Sequence, residues 1–136
     1  MAVKKQDPIA RELGQGQADV LQVLWRQEPG ATVPEIHEAV NALRRRRHQP
    51  EAAYTTVLTN VQRLDARALL VRTPEGRGFR YRAKLGHDEL LASWSDELID
   101  RLLGDYGEIA VARLDERLSQ LDDERRARLR AERKRR

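Results

Sequence analysis

The chain has 136 residues, with 4% aromatic and 35% charged side chains, which is material for one compact domain, or a small domain with an appendage, cored by Leu, Val, Ile and Ala. Its net charge of +4 is segregated: residues 1–85 carry 15 Lys and Arg against 9 Asp and Glu, residues 86–124 carry 3 against 12, and residues 125–136 carry 8 against 1. The lack of cysteine excludes disulfides and thiolate metal sites and fits a reducing cytoplasm, while no apolar run nears the roughly 20 residues that span a bilayer.

The lysine-bearing start, residues 1–12, has no apolar stretch behind it, so neither a signal peptide nor a membrane anchor is expected. Leu13-Gly14-Gln15-Gly16 punctuates this start, which reads as mobile. Over residues 17–27, Leu21, Leu24 and Trp25 recur at i, i+3, i+4 with Val20 and Val23 beside them, predicting a helix with one buried stripe. Glu28-Pro29-Gly30 ends it.

Thr32-Val33-Pro34-Glu35 has the form of a capping box with proline in the first turn. The helix it opens runs to about Leu43, with Ile36, Val40 and Leu43 on its core side. Arg44-Arg45-Arg46-Arg47-His48-Gln49-Pro50 breaks the period and reads as a solvated loop near phosphates or simply in water.

A third helix spans from Ala53 or Tyr54 to about Arg67, with Val57, Val61 and Leu64 inward. Thr55, Thr56, Thr59, Asn60 and Arg63 lie on the other side. Two short strands follow, residues 70–73 and 79–83, joined by Pro74-Glu75-Gly76-Arg77-Gly78, and Phe79 and Tyr81 alternate with Arg80 and Arg82. The order helix, helix, helix, strand, turn, strand is a winged helix-turn-helix: a mainly α fold with a small β-hairpin wing.

Beyond Leu85 the pattern becomes heptad-like. Residues 87–103 set Leu91, Trp94, Leu98 and Leu102 on one side, Gly104-Asp105-Tyr106-Gly107 turns, and residues 108–121 set out Val111, Leu114, Leu118 and Leu121. Acidic helices with leucine seams apart from any core want a second copy of the chain, so these eight residues are the expected dimerisation set. A separate last helix with a basic end, carrying only Leu129 and two alanines to pack, closes the chain. The expected division is a winged-helix domain over residues 13–85 and a helical dimerisation region with a basic tail over residues 86–136.

Ala53-Tyr54-Thr55-Thr56-Val57-Leu58-Thr59 with Gln62-Arg63-Leu64 resembles the recognition helix of the penicillinase-repressor family (BlaI/MecI type). Leu13-Gly14 with Val20-Leu21 and Val23-Leu24-Trp25, Thr32-Val33-Pro34-Glu35-Ile36 and Gly78-Phe79-Arg80-Tyr81 resemble its first helix, second helix and returning wing strand. The resemblance implies a homodimeric repressor on DNA, released in some systems by a membrane sensor-protease. Four features depart from the family pattern. Ala68 stands where glycine is usual, the Arg44–Pro50 loop is longer than usual, residues 111–114 lack the Asn-Phe cleavage pair of β-lactam-responsive members, and the copper-binding cysteines are missing.

The side-chain chemistry points the same way. An α-helix fits the major groove, and threonine offers a hydroxyl and a methyl to base edges at helical spacing. Tyr54, Thr55, Thr56, Thr59, Asn60 and Arg63, with Arg72, Arg77, Arg80 and Arg82 of the wing, form the expected DNA-binding set. The expected partners are inverted-repeat DNA, a second copy of the chain and the sensor-protease that the resemblance implies, with no membrane. A rival reading keeps the fold but docks its basic front on an acidic partner protein. Trp25 and Trp94 read as packing anchors. His37, His48 and His87 stand singly, so no metal or cofactor is expected, and no nucleophile or acid–base pair points to an enzyme.

Overall fold

The computed structural model describes residues 7–135; residues 1–6 and Arg136 lie outside it, and with them part of the lysine-bearing start and the last residue of the basic tail. The elements are α1 (Pro8–Leu13), α2 (Gln15–Arg26), β1 (Ala31–Thr32), α3 (Val33–Arg46), α4 (Tyr54–Ala66), β2 (Leu70–Glu75), β3 (Gly78–Ala83), α5 (His87–Tyr106) and α6 (Glu108–Arg135). The three strands form one antiparallel sheet in the order β1-β3-β2. The chain divides into two compact units between Leu91 and Ala92. The described residues are mainly helical with a small wing, a winged helix-turn-helix followed by long C-terminal helices.

In the first unit, the start is more ordered than its glycines imply. Asp7 Oδ1 accepts the Ile9 N–H at 3.0 Å, Pro8 takes the first helical position, and Ile9, Ala10 and Leu13 bury against the rest of the unit. Three such side chains outweigh the glycine punctuation, since burying one Leu or Ile is worth about 1.5–3 kcal/mol. Gly14, at φ 88, is the joint between α1 and α2 rather than the edge of a mobile segment.

The core is built from the predicted stripes. Val20, Leu21 and Leu24 of α2 meet Ile36 and Val40 of α3 and Val57, Val61 and Leu64 of α4, all buried. Trp25 is an anchor in this unit: its Nε1–H donates to the Leu85 carbonyl at 2.9 Å and its ring meets His87 edge-on at 5.4 Å. The short β1 escaped the sequence reading. It exists because Gly30, at φ 129, lets the chain approach β3, where an added Cβ would stand 2.4 Å from the Tyr81 carbonyl oxygen. Ala31 then pairs with Tyr81 and Thr32 with Arg80.

The capping box forms, with Glu35 Oε1 accepting from both the Thr32 N–H at 3.1 Å and its hydroxyl at 2.8 Å. The helix it starts overruns the expected end. Arg44, Arg45 and Arg46 are helical and Arg47 is the C-cap, so the arginine run is no solvated loop. The reason is tertiary. Arg47 Nη1 bonds Asp19 Oδ1 at 2.7 Å and its Nη2 bonds Gln22 Oε1 at 3.0 Å, while Arg44 reaches the Pro50 carbonyl and Arg45 the Glu51 carboxylate. Asp19 is fully buried.

Helices α3 and α4 close in the same way. The Gln49 N–H bonds the Arg44 carbonyl at 2.9 Å over His48 at φ 58, and the Leu69 N–H bonds the Leu64 carbonyl at 3.1 Å over Ala68 at φ 60. Both are Schellman closures, which place one residue in the left-handed region that glycine fills most readily. Ala68 therefore holds a left-handed backbone conformation that glycine would adopt at lower cost.

In the second unit, one helix replaces the two expected after Gly107. The chain breaks only at Gly107, φ 58, so Gly104-Asp105-Tyr106 is helical rather than a turn. From there α6 runs 28 residues without interruption. Ala127, Leu129 and Ala131 have high helix propensity, and the basic residues sit where the helix dipole favours them.

Candidate nucleic-acid interface

Helix α4 presents one polar side outward. Val57, Val61 and Leu64 are buried, whereas Thr55, Thr56, Thr59 and Arg63 are exposed along the opposite side. The exposed Thr59 hydroxyl donates to the Thr55 carbonyl at 2.9 Å, which fixes its rotamer and leaves its oxygen free to accept. Tyr54 is exposed in the first turn, with the His37 ring edge-on at 5.5 Å. Asn60 departs from this face. It is half-buried over α2, where a Cβ on Gly16 would stand 2.5 Å from its Nδ2.

The wing separates its arginines into two kinds. Strands β2 and β3 pair from Leu70↔Ala83 to Glu75↔Gly78, leaving Gly76-Arg77 as the turn. Gly76 sits at φ 59, the positive value that a two-residue turn of the II′ kind needs at its first position, and it presents Arg77 at the tip. Arg77 and Arg82 are exposed and take no ion pair among the described residues.

Arg72 and Arg80 are held by neighbouring side chains instead. Arg72 lies 4.5 Å over the Phe79 ring and 3.4 Å from Asp65 of α4, tying the wing to that helix. Arg80 bonds the Gly30 carbonyl at 2.8 Å and pairs with Glu75 at 3.0 Å and Glu35 at 3.2 Å. The Glu75 hydrogen bond leads the causes that raise the Arg80 pKa. The Thr32 backbone N–H leads those that hold Glu35 below the usual carboxylate range, followed by the Thr32 hydroxyl and then Arg80. Both arginines position the wing against α3 and α4.

Sequence reasoning missed the support beneath α4. Buried Asn41 and half-buried His37, one turn apart on α3, both meet the backbone of Ala52 just before the helix. Their i, i+4 spacing was visible, but their target is a main-chain peptide that no side-chain pattern marks.

In the second unit the seam residues stay uncovered. Leu98 is 56% exposed, Leu118 59% and Leu121 51%; Leu102 and Val111 are also exposed, and Trp94 and Leu114 are half-buried. Leu91 ends the first unit, half-buried. Among the described residues there is no group of three or more His, Asp or Glu placed to hold a metal ion, and no helix is long and apolar enough to cross a membrane.

Comparison with known proteins gives these features a family. The family described as penicillinase repressor matches residues 13–134. The transcriptional regulators BlaI of Mycobacterium tuberculosis, strains CDC 1551 / Oshkosh and ATCC 25618 / H37Rv, are each 38% identical over 80 residues, 59% of this chain and 54% of theirs. The chain thus spans about half the length of the curated relatives it matches. The crystal structure of transcriptional regulator Tm0710 from Thermotoga maritima aligns at TM-score 0.44 and 21% identity, covering 88% of this chain and 82% of that one. With a match across nearly all of its length, the chain belongs to the penicillinase repressor family, a family of transcriptional repressors and not of enzymes.

Proposed function

We propose that the protein is a cytoplasmic homodimeric repressor that reads an inverted-repeat operator with α4 and its wing. The observation that carries this reading is the exposed row Thr55, Thr56, Thr59 and Arg63 on a helix whose opposite side is fully buried. Such a helix is rigid, and its hydroxyls, methyls and guanidinium match what the major groove displays. Tyr54 flanks the row, Arg77 and Arg82 reach phosphates or the minor groove, and Arg72, Arg80 and Asn60 hold the reading surface in shape. Residues 13–85 form the DNA-binding domain in this account.

Residues 86–136 form the dimer. An exposed line of Leu98, Leu102, Val111, Leu118 and Leu121 is apolar surface that a second copy would cover, with Leu91, Trp94 and Leu114 completing the set. Two recognition helices about 34–36 Å apart would enter successive major grooves. A sensor-protease would meet residues 111–114 inside an unbroken helix, so cleavage there requires α6 to unwind first.

Selection from random DNA tests the reading. The expected result is enrichment of an inverted repeat, with log K falling at about 0.9 per neutralised phosphate against log salt. Recovery of no motif, with retained binding to acidic proteins, would replace the repressor by an assembly module.

A further inference from the structure

Helix α6 carries two opposite charges along one rod. From Glu108 to Glu124 it bears six acidic and two basic side chains; from Arg125 to Lys134 it bears six basic side chains and the single acid Glu132. All ten residues of the basic stretch are exposed, and none of its cations takes an ion pair among the described residues. Residues 86–124 together carry −9, so two copies meeting there would bring −18 into one interface. That repulsion has to be offset for the leucine seams to close.

Within one copy the basic stretch does not offset it: Asp122, Asp123 and Glu124 lie three or four residues from Arg125, Arg126 and Arg128 but no ion pair joins them among the described residues, and at about 1.5 Å per residue Arg130 and Arg133 lie roughly 35 and 39 Å from Gly107 along α6, beyond the roughly 30 Å length of α5. The acidic start of α6 is equally out of reach, because a helix without a kink does not fold on itself. Leu129 then separates two classes of partner. It is 52% exposed, with Arg126 and Arg133 one turn away on either side. A leucine among arginines suits a surface that is acidic and apolar together, and a phosphate backbone gives it nothing to bury against.

We propose that the basic half of α6 docks on the acidic surface of α5 and α6 of a second copy, near Asp96, Glu97, Asp100 and Asp115, as an electrostatic clasp across the dimer. This rests on the homodimer reading and adds to it which surfaces meet and why they attract.

The test is the dimer dissociation constant of the full chain, measured by sedimentation at about 50 and 500 mM salt, between which screening shortens from over 10 Å to a few ångströms. For the unmodified chain salt weakens the dimer. For Arg126→Gln, Arg130→Gln, Arg133→Gln combined, the dimer is at least tenfold weaker at low salt and is strengthened by salt, because the acidic repulsion then outweighs what the remaining cations offset. The corresponding Arg→Lys triple restores the original constant and its salt sign, which separates charge from shape. An unchanged constant in the Gln triple, with weaker binding to random DNA, overturns the clasp and assigns the stretch to phosphates while the dimer stands. A chain monomeric at every salt overturns the homodimer reading and the clasp together.

Discussion

Asn41 closes a two-point pair with the peptide of Ala52: its Oδ1 accepts the Ala52 N–H at 2.7 Å and its Nδ2 donates to the Ala52 carbonyl at 3.1 Å. His37 Nε2 lies 2.9 Å from the same carbonyl. The next residue, Ala53, is the N-cap of α4 and has no side-chain oxygen to hold the first turn. The angle at which α4 leaves the loop is therefore set from α3. Replacing Asn41 by Leu leaves the part-buried Ala52 N–H without its acceptor and its carbonyl with His37 alone, with a loss of about 1–3 kcal/mol in urea unfolding. The Ala52 amide should then exchange its hydrogen at least tenfold faster. An unchanged exchange rate would show that Asn41 does not hold that junction.

Ala68 offers a gain. It sits at φ 60, where a Cβ costs about 1 kcal/mol, so Ala68→Gly is expected to raise stability by about 0.5–1 kcal/mol despite the entropy glycine adds to the unfolded chain. The urea midpoint reads this directly, and Ala68→Val should move it the other way.

Arg47 holds a carboxylate that water cannot reach. Arg47→Ala leaves fully buried Asp19 with Gln15 Nε2 at 2.8 Å and Arg44 at 4.0 Å. The expected loss is about 2–3 kcal/mol, below the roughly 3–5 of a wholly buried pair because Arg47 is about one-third exposed. Arg46, with no ion pair among the described residues, should tolerate the same change within about 0.5 kcal/mol. Equal effects at the two positions would contradict the pairing.

Glu35 gives a pH signature. Its folded pKa is lowered, so its contribution is full above the ordinary carboxylate range and disappears as the pH falls through the lowered value. Glu35→Gln should therefore be less stable than the parent at neutral pH and equal to it in acid, as thermal melts across that range would report. A gap that widens in acid would reverse the assignment.

The parts of this fold that were legible had local causes. Val57, Val61 and Leu64 repeat at helical spacing, Thr32 and Glu35 sit at the spacing of a cap, and Phe79 and Tyr81 alternate with charges, so α4, the start of α3 and the wing could be read off the chain. The arginine run could not, because charges have no period and their partners lie far along the sequence, Arg47 with Asp19 and Arg80 with Glu35. The difference between Arg77, free at the wing tip, and Arg72, held by Asp65 and Phe79, was hidden too, because it depends on how β2 folds back on α4 and β3 rather than on any period. Helix α1 went unread, because its six residues are too few for a buried side to show as a period.

The most direct test compares Thr56→Ala and Arg63→Ala with the parent on a selected inverted repeat and on random DNA at one salt concentration. A loss of about 1–3 kcal/mol on the repeat and little on random DNA is expected for each. Equal losses on both, or none on the repeat, would contradict the claim that the outer side of α4 reads sequence.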